Sequence, residues 1–191
     1  MPGKPREERI ADAVSAAEDL FLERGYDTVT LKDIAKRAGF SPAAMYYYFP
    51  SKEGILAAVC VRLYEPIELF MAVADEKDDP LEALHSFLTD YFLFCAKHPQ
   101  VIGLFLRDRV YALQDRPRQA RLFAGQARLF KWIYGLLSVA EDEGLLARHH
   151  KAAKAMTLLY AIEGMVPFMS LSKPWRVKKE VARLEKALLQ A

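Results

Sequence analysis

Between residues 30 and 54 the chain carries helix-starting and helix-stopping residues so close together that only very short helices fit between them. Thr30, followed three residues later by Asp33, is a capping-box start for a helix over Leu31–Ala38, and Gly39 closes it. Ser41-Pro42 then supplies an N-cap and a first-turn proline for a second helix over Pro42–Tyr48. Pro50 ends that helix, and Ser51 caps a longer one that starts at Lys52. Two helices of about two turns each, joined by roughly three residues that include glycine, have the spacing of a helix-turn-helix.

The surrounding chain also reads as helix, and no run of alternating β-branched residues argues for a strand. Ile10, Ala13, Val14, Ala17, Leu20 and Phe21 recur at three- and four-residue steps, which predicts an amphipathic first helix ending at Gly25. The fourth helix runs on through Leu56, Val59, Leu63 and Ile67, with a bend expected at Pro66. The charged stretch Asp75–Pro80 is the natural boundary. It divides a DNA-binding domain over residues 1–54, with the fourth helix (52–74) as connector, from a second domain over 75–191. Beyond it the pattern predicts helices near Pro80–Lys97, Val101–Leu113, Arg118–Glu143, Ala152–Ser170 and Arg176–Leu189. The expected fold is all-α throughout.

With 52% apolar residues in 191, a substantial core can form, yet no apolar run approaches the roughly 20 residues that span a bilayer. With no signal-peptide pattern either, a cytoplasmic location and reduced thiols at Cys60 and Cys95 are expected. The net charge of +2 says nothing about partners, but Lys32–Lys52 holds four basic residues and one acid. Residues 1–54 as a whole hold eight basic and nine acidic residues, so a basic face requires acids such as Glu18, Asp19 and Glu23 to lie on the far side.

The segment Arg9-Ile10, then Leu20-Phe21-Leu22-Glu23-Arg24-Gly25-Tyr26-Asp27, with Thr30-Leu31-Lys32-Asp33-Ile34-Ala35-Lys36-Arg37-Ala38-Gly39-Phe40-Ser41-Pro42-Ala43-Ala44 and Met45 to Glu53, resembles the DNA-binding domain of the tetracycline-repressor family. The resemblance covers about fifty residues and implies an all-helical homodimer whose C-terminal domain takes a small molecule that releases the operator. Carried over position by position, it assigns Thr30, Lys32, Tyr46 and Lys52 to phosphates of double-stranded DNA. It gives Ser41, Pro42, Ala43, Ala44, Tyr47 and Tyr48 to the groove-facing surface. Ala43 stands where the family usually has glycine, and Tyr48 where it usually has histidine. Pro42, Ala43 and Ala44 bring no hydrogen-bonding side chain, which points to thymine-methyl contacts and shape readout. Three adjacent tyrosines step about 100° apart, so they cannot all be buried.

Further along, Phe87, Tyr91, Phe94 and Cys95 make a helix apolar on nearly every side, the mark of a buried helix. Some of these residues are expected to line an effector cavity with Phe105, Phe130, Ile133, Tyr134 and Tyr160, while Arg109 and Glu163 orient a polar group of the ligand. Val177, Val181, Leu184 and Leu188 form a helix-pair seam. It either docks on its own subunit or, as the two-fold symmetry of a half-site reader favours, meets a partner copy. His149-His150 lacks the i, i+4 geometry of a metal pair, and no cofactor motif occurs, so neither metal nor cofactor is expected. The competing possibility is a helical-bundle carrier or enzyme without DNA binding, but no G-x-S-x-G, H-E-x-x-H, C-x-x-C or Walker-type pattern supports an enzyme.

Overall fold

A computed structural model describes residues 5–148 and 150–189. His149 of the histidine pair lies outside the described residues. The chain runs through α1 (Arg6–Arg24), a 3-10 turn (Tyr26–Thr28), α2 (Leu31–Arg37), α3 (Pro42–Tyr48), α4 (Lys52–Leu63) and α5 (Glu65–Ala74). It continues through α6 (Pro80–Lys97), α7 (Pro99–Ala112), α8 (Arg116–Asp142), α9 (Lys151–Ser170) and α10 (Pro174–Leu189). The described residues form an all-α fold with no strand.

The expected fourth helix is two helices. Pro66 has no N–H and its ring crowds the carbonyl four residues back, so an unbroken helix through it is strained. The chain ends α4 at Tyr64, whose N–H donates to both Cys60 O (3.1 Å) and Val61 O (3.3 Å), and Pro66 sits in the first turn of α5.

α1 to α4 enclose a core of Ala13, Ala17, Ile34, Met45, Ile55 and Leu56, none of which is measurably exposed. In the second region α6 is the axis, packed by α5, α8, α9 and α10. Its Leu84, Phe87, Leu88 and Phe92 are fully buried, each worth about 1.5–3 kcal/mol relative to exposure. α7 lies against both regions, packing on α4 as well as on α8 and α9.

The seam on α10 resolves toward its own subunit. Val177 and Val181 are fully buried, and Leu184 and Leu188 pack against the same core, because α10 lies on α6. Leu184 and Leu188 stay half-buried, so that end of α10 is covered only in part by its own chain.

Candidate DNA interface and effector cavity

The punctuation read from the sequence is realised as hydrogen bonds. Thr30 Oγ1 accepts from Asp33 N–H (3.2 Å), while the Asp33 carboxylate accepts from the Thr30 N–H (2.8 Å) and hydroxyl (2.6 Å). The Thr30 hydroxyl, foremost, holds the Asp33 carboxyl below its usual range. Gly39 turns the chain at φ 69°, a left-handed conformation that costs glycine nothing sterically. Phe40 N–H then donates to Ala35 O (2.8 Å), and Ser41 Oγ accepts from Ala44 N–H (3.2 Å) at the start of α3.

α3 buries Met45 against the head core and presents its opposite side outward. Ser41, Pro42 and Ala43 are exposed and Ala44 is half-buried. Tyr46 is 49% and Tyr47 75% exposed, whereas Tyr48 is half-buried with its ring edge-on to Phe40 at 5.8 Å. One side of α3 is therefore an outward shelf of hydroxyl, methyl and phenol groups, flanked by the exposed Thr30, Lys32 and Lys36.

Ion pairs occupy the acids whose position mattered to this face. Glu23 holds Arg37 at 3.0 Å, Glu18 meets Arg62 at 3.5 Å, and Asp27 pairs with Arg107 of α7. Lys52 stands elsewhere than a phosphate clamp requires. Its ammonium donates to Tyr26 O (2.7 Å) and Val29 O (2.8 Å) and lies 4.2 Å from the centre of the Tyr26 ring. Lys52 thereby ties the α1–α2 turn to the start of α4. Arg9, given no role by the sequence, lies over the Phe40 ring at 4.6 Å.

A cavity of about 410 Å3 opens between α4, α5, α6, α7, α8 and α9. Its apolar walls come from Tyr64, Ile67, Met71, Tyr91, Phe105, Leu106, Leu129 and Val166. Asp108, Arg109, Arg118 and Glu163 belong to its polar part, with Glu65, Glu68, Arg121, Gln126 and Arg128 also on the lining. Arg109 is in direct ionic contact with Glu163, and Arg118 reaches Asp108 at 3.6 Å and Asp115 at 3.2 Å. Burial raises the Asp108 carboxyl above its ordinary range, although Arg118 works against that shift. Burial also pushes the Tyr64 phenol up to about 12.

Of the residues expected to line a cavity, Tyr91, Phe105, Arg109 and Glu163 do so. The others are placed differently. Phe87, Cys95 and Ile133 are buried in the core, and Phe87 packs on Trp132 at 4.9 Å. Phe94 lies against Phe70 and His98. Phe130 is half-buried beside Tyr134, and Tyr134 and Tyr160 are 37% and 65% exposed on the outer surface. The cavity draws its lining mainly from α8, α7 and α5, and only Tyr91 reaches it from α6; the Tyr64 ring, at the break before α5, lies 4.7 Å from that of Phe105. Cys60 borders it, but burial pushes its thiol up, as it does Cys95 to about 12, so neither is a reactive thiolate. Sequence reasoning passed over Asp108 and Arg118. A visible signal existed for the first of these: Arg107-Asp108-Arg109 are three consecutive charges inside an otherwise apolar helix.

No helix among the described residues is long and apolar enough to cross a membrane, and no cluster of three metal-ligating residues occurs among them.

A compact helical head with a two-helix reading unit, joined to a larger helical bundle, defines a helix-turn-helix DNA-binding regulator. Residues 13–59 match the model for bacterial regulatory proteins of the tetR family. The HTH-type transcriptional repressor BepR of Brucella suis is 32% identical over 160 residues, covering 78% of this chain and 74% of that protein. The HTH-type transcriptional regulator RutR of Escherichia coli is 32% identical over 148 residues, 74% of this chain and 61% of that one. Among solved structures, a TetR transcription regulator from Haloarcula marismortui superposes with a TM-score of 0.80 at 21% identity, covering 96% of this chain and all of that one. A TetR-family regulator from Pectobacterium atrosepticum gives 0.76 at 23% identity, over 98% and 99% of the two chains. The chain belongs to the tetR family of bacterial regulatory proteins. It is a DNA-binding transcriptional repressor, not an enzyme.

Proposed function

We propose that this repressor works as a homodimer on duplex operator DNA and leaves it when a small apolar or amphipathic effector fills the cavity between α4 and α9. The observation that carries this reading is the cavity itself. A space of about 410 Å3, with aromatic and aliphatic walls and charged groups of both signs on its lining, suits a small molecule that has an apolar body and a polar end. α4 joins it to the head, since the same helix begins at Lys52 against the α1–α2 turn and borders the cavity at Ala57, Cys60 and Val61.

On the DNA side, Tyr47, Tyr48, Ser41 and the methyl-bearing Ala43 and Ala44 face the major groove, while Thr30, Lys32 and Tyr46 meet phosphates. For the dimer, α9, which packs on α8, offers a stripe at four-residue steps, Met156, Tyr160, Gly164 and Phe168, exposed on the surface. An apolar band of this kind is an interaction surface, and a two-fold axis lets it complement itself. A DNA-bound repressor of this design acts in the cytoplasm.

To act as a switch, the effector must bind the DNA-incompetent arrangement better than the competent one. Titrating fatty acids, acyl-CoAs and aromatic compounds into the protein with and without operator tests this. Linkage demands that a ligand loosening operator binding about 5–150-fold be loosened by operator to the same degree. Ligands that fill the cavity with equal affinity in both states would exclude a switch and leave DNA binding untouched.

A further inference from the structure

Three consecutive residues of α7 each form an ion pair with a different part of the molecule. The Arg107 guanidinium donates to both Asp27 oxygens, at 2.9 and 2.8 Å, in the α1–α2 turn of the head. Asp108 meets Arg118 of α8, and Arg109 meets Glu163 of α9 inside the cavity. Residues two apart on a helix stand about 200° apart, so Arg107 and Arg109 leave α7 on opposite sides. One side grips the head and the other faces the cavity.

The grip on the head is more than one ion pair. The Tyr26 ring has the Lys52 ammonium at 4.2 Å and the Arg107 guanidinium at 4.9 Å, with the Tyr111 ring of α7 at 6.3 Å. Lys52 also holds the carbonyls on either side of this turn. The turn that leads into α2 is thus pinned by α7 and by the first residue of α4 together. The Asp27–Arg107 pair is largely solvent-exposed, so taken alone it contributes little. Its effect is geometric: the planar fork and the ring contact set one pose of the head against α7.

We propose that Arg107 is a positioning residue for operator binding, and that the Arg107-Asp108-Arg109 triplet is the element through which the cavity sets the pose of the head. This rests on the effector reading for its biological use, but not for its physics. An occupant that disturbs the Arg109–Glu163 or Asp108–Arg118 pair changes the seat of α7, and within α7 Arg107 adjoins Asp108 and stands two residues from Arg109. A dimer must hold its two reading heads at a defined half-site spacing, so loosening their pose lowers specific affinity.

The test needs no identified effector. Operator duplexes selected from a random-sequence pool are titrated with the full-length protein carrying Glu163→Gln, Arg107→Ala, or both, at one salt concentration. Arg107→Ala removes the exposed ion pair and the ring contact, so operator binding should weaken about three- to thirtyfold. Glu163→Gln keeps the volume and removes the charge in the cavity, and it should also weaken binding. The double variant should bind no worse than Arg107→Ala alone, because both act through one path. Affinity for scrambled duplex should stay unchanged, which a general loss of fold would not allow. Spin labels on introduced cysteines at the exposed Lys36 and Lys131 should show a broadened separation in each weakened variant; Cys60 and Cys95 are buried and do not compete for label. Should Glu163→Gln unfold the chain, Arg109→Gln combined with Glu163→Gln leaves no unpaired charge and reads the same coupling. Multiplying losses in the double variant, or a Glu163 substitution without effect on operator binding, would overturn the relay. Non-additive losses with no compound able to release operator would uphold the relay and remove the effector reading.

Discussion

The head and the ligand domain are both helical and both built around fully buried apolar side chains, yet they treat charge in opposite ways. In the head, charged groups stay on the surface: Glu23 and Arg37 pair in solvent, and Asp33 closes a cap at the rim. The second domain encloses Asp108 and Arg118 beside the cavity and Glu141 near the end of α8, each less than a tenth exposed. A head that must present one fixed shape to DNA gains nothing from buried charge. Under the proposed function the second domain exchanges one set of internal partners for another, which needs groups whose pairing can be altered, and buried ion pairs are costly enough to disrupt that their disruption is felt.

The largest effect that can break this contrast is ionic. Operator binding through the head should weaken by about 10³–10⁵ between 50 and 200 mM salt if 6–10 phosphates are contacted. Thermal stability of the ligand domain should scarcely move over the same range. Binding isotherms insensitive to salt would remove the proposed docking.

Next in size is the buried pair. Arg118→Met leaves Asp108 without its guanidinium, and loss of one partner from a buried pair costs about 3–5 kcal/mol. Arg37→Met, its surface counterpart in the head, should leave the unfolding midpoint where it was. Equal midpoints for the two variants in denaturant titration would show that the two regions do not differ as described.

Tyr47 isolates function from fold, because three quarters of it is exposed. Tyr47→Ala should reduce operator affinity by about 1–3 kcal/mol, the range of a direct contact, without changing the melting temperature. Unchanged affinity would move the reading surface away from this face of α3.

The smallest effect is in pH. Asp33 has its carboxyl lowered by Thr30, so the stability it contributes is present above the ordinary carboxylate range and is lost as pH falls through the lower folded value. Asp108 is raised by burial, so its protonated form is favoured by folding and its ionisation opposes folding as pH rises. Asp108→Asn leaves Arg118 with Asp115 alone, a loss that should be smaller at neutral pH than in acid once the raised carboxyl is gone, whereas Asp33→Asn should destabilise most at neutral pH and matter less in acid. Melting curves of the two variants from pH 3 to 7 that run parallel would refute the opposite signs.

Much of the head was legible because its signals act over three or four residues. A threonine hydroxyl reaches the amide three residues on, and a proline or a left-handed glycine stops a helix where it stands; Thr30, Gly39, Ser41-Pro42 and Ser51 each did so. The ligand domain shows where such reasoning stops. Patterning marked Tyr91, Phe105, Arg109 and Glu163 for the cavity, but it equally marked Phe87, now core, and Tyr160, now surface. All are apolar or amphipathic residues on helices, and nothing local tells them apart.

By itself, then, the sequence determined the order and approximate ends of the helices, the reading unit near the N-terminus and the all-α class, because capping, proline geometry and helical periodicity are properties of neighbours along the chain. Only the tertiary structure decided that α10 spends Val177 and Val181 on its own subunit, that Lys52 turns to the carbonyls of Tyr26 and Val29, and that one turn of α7 reaches the head, α8 and α9 at once. Those outcomes depend on the angles at which helices cross, which many distant side chains set together and no short stretch of sequence carries alone.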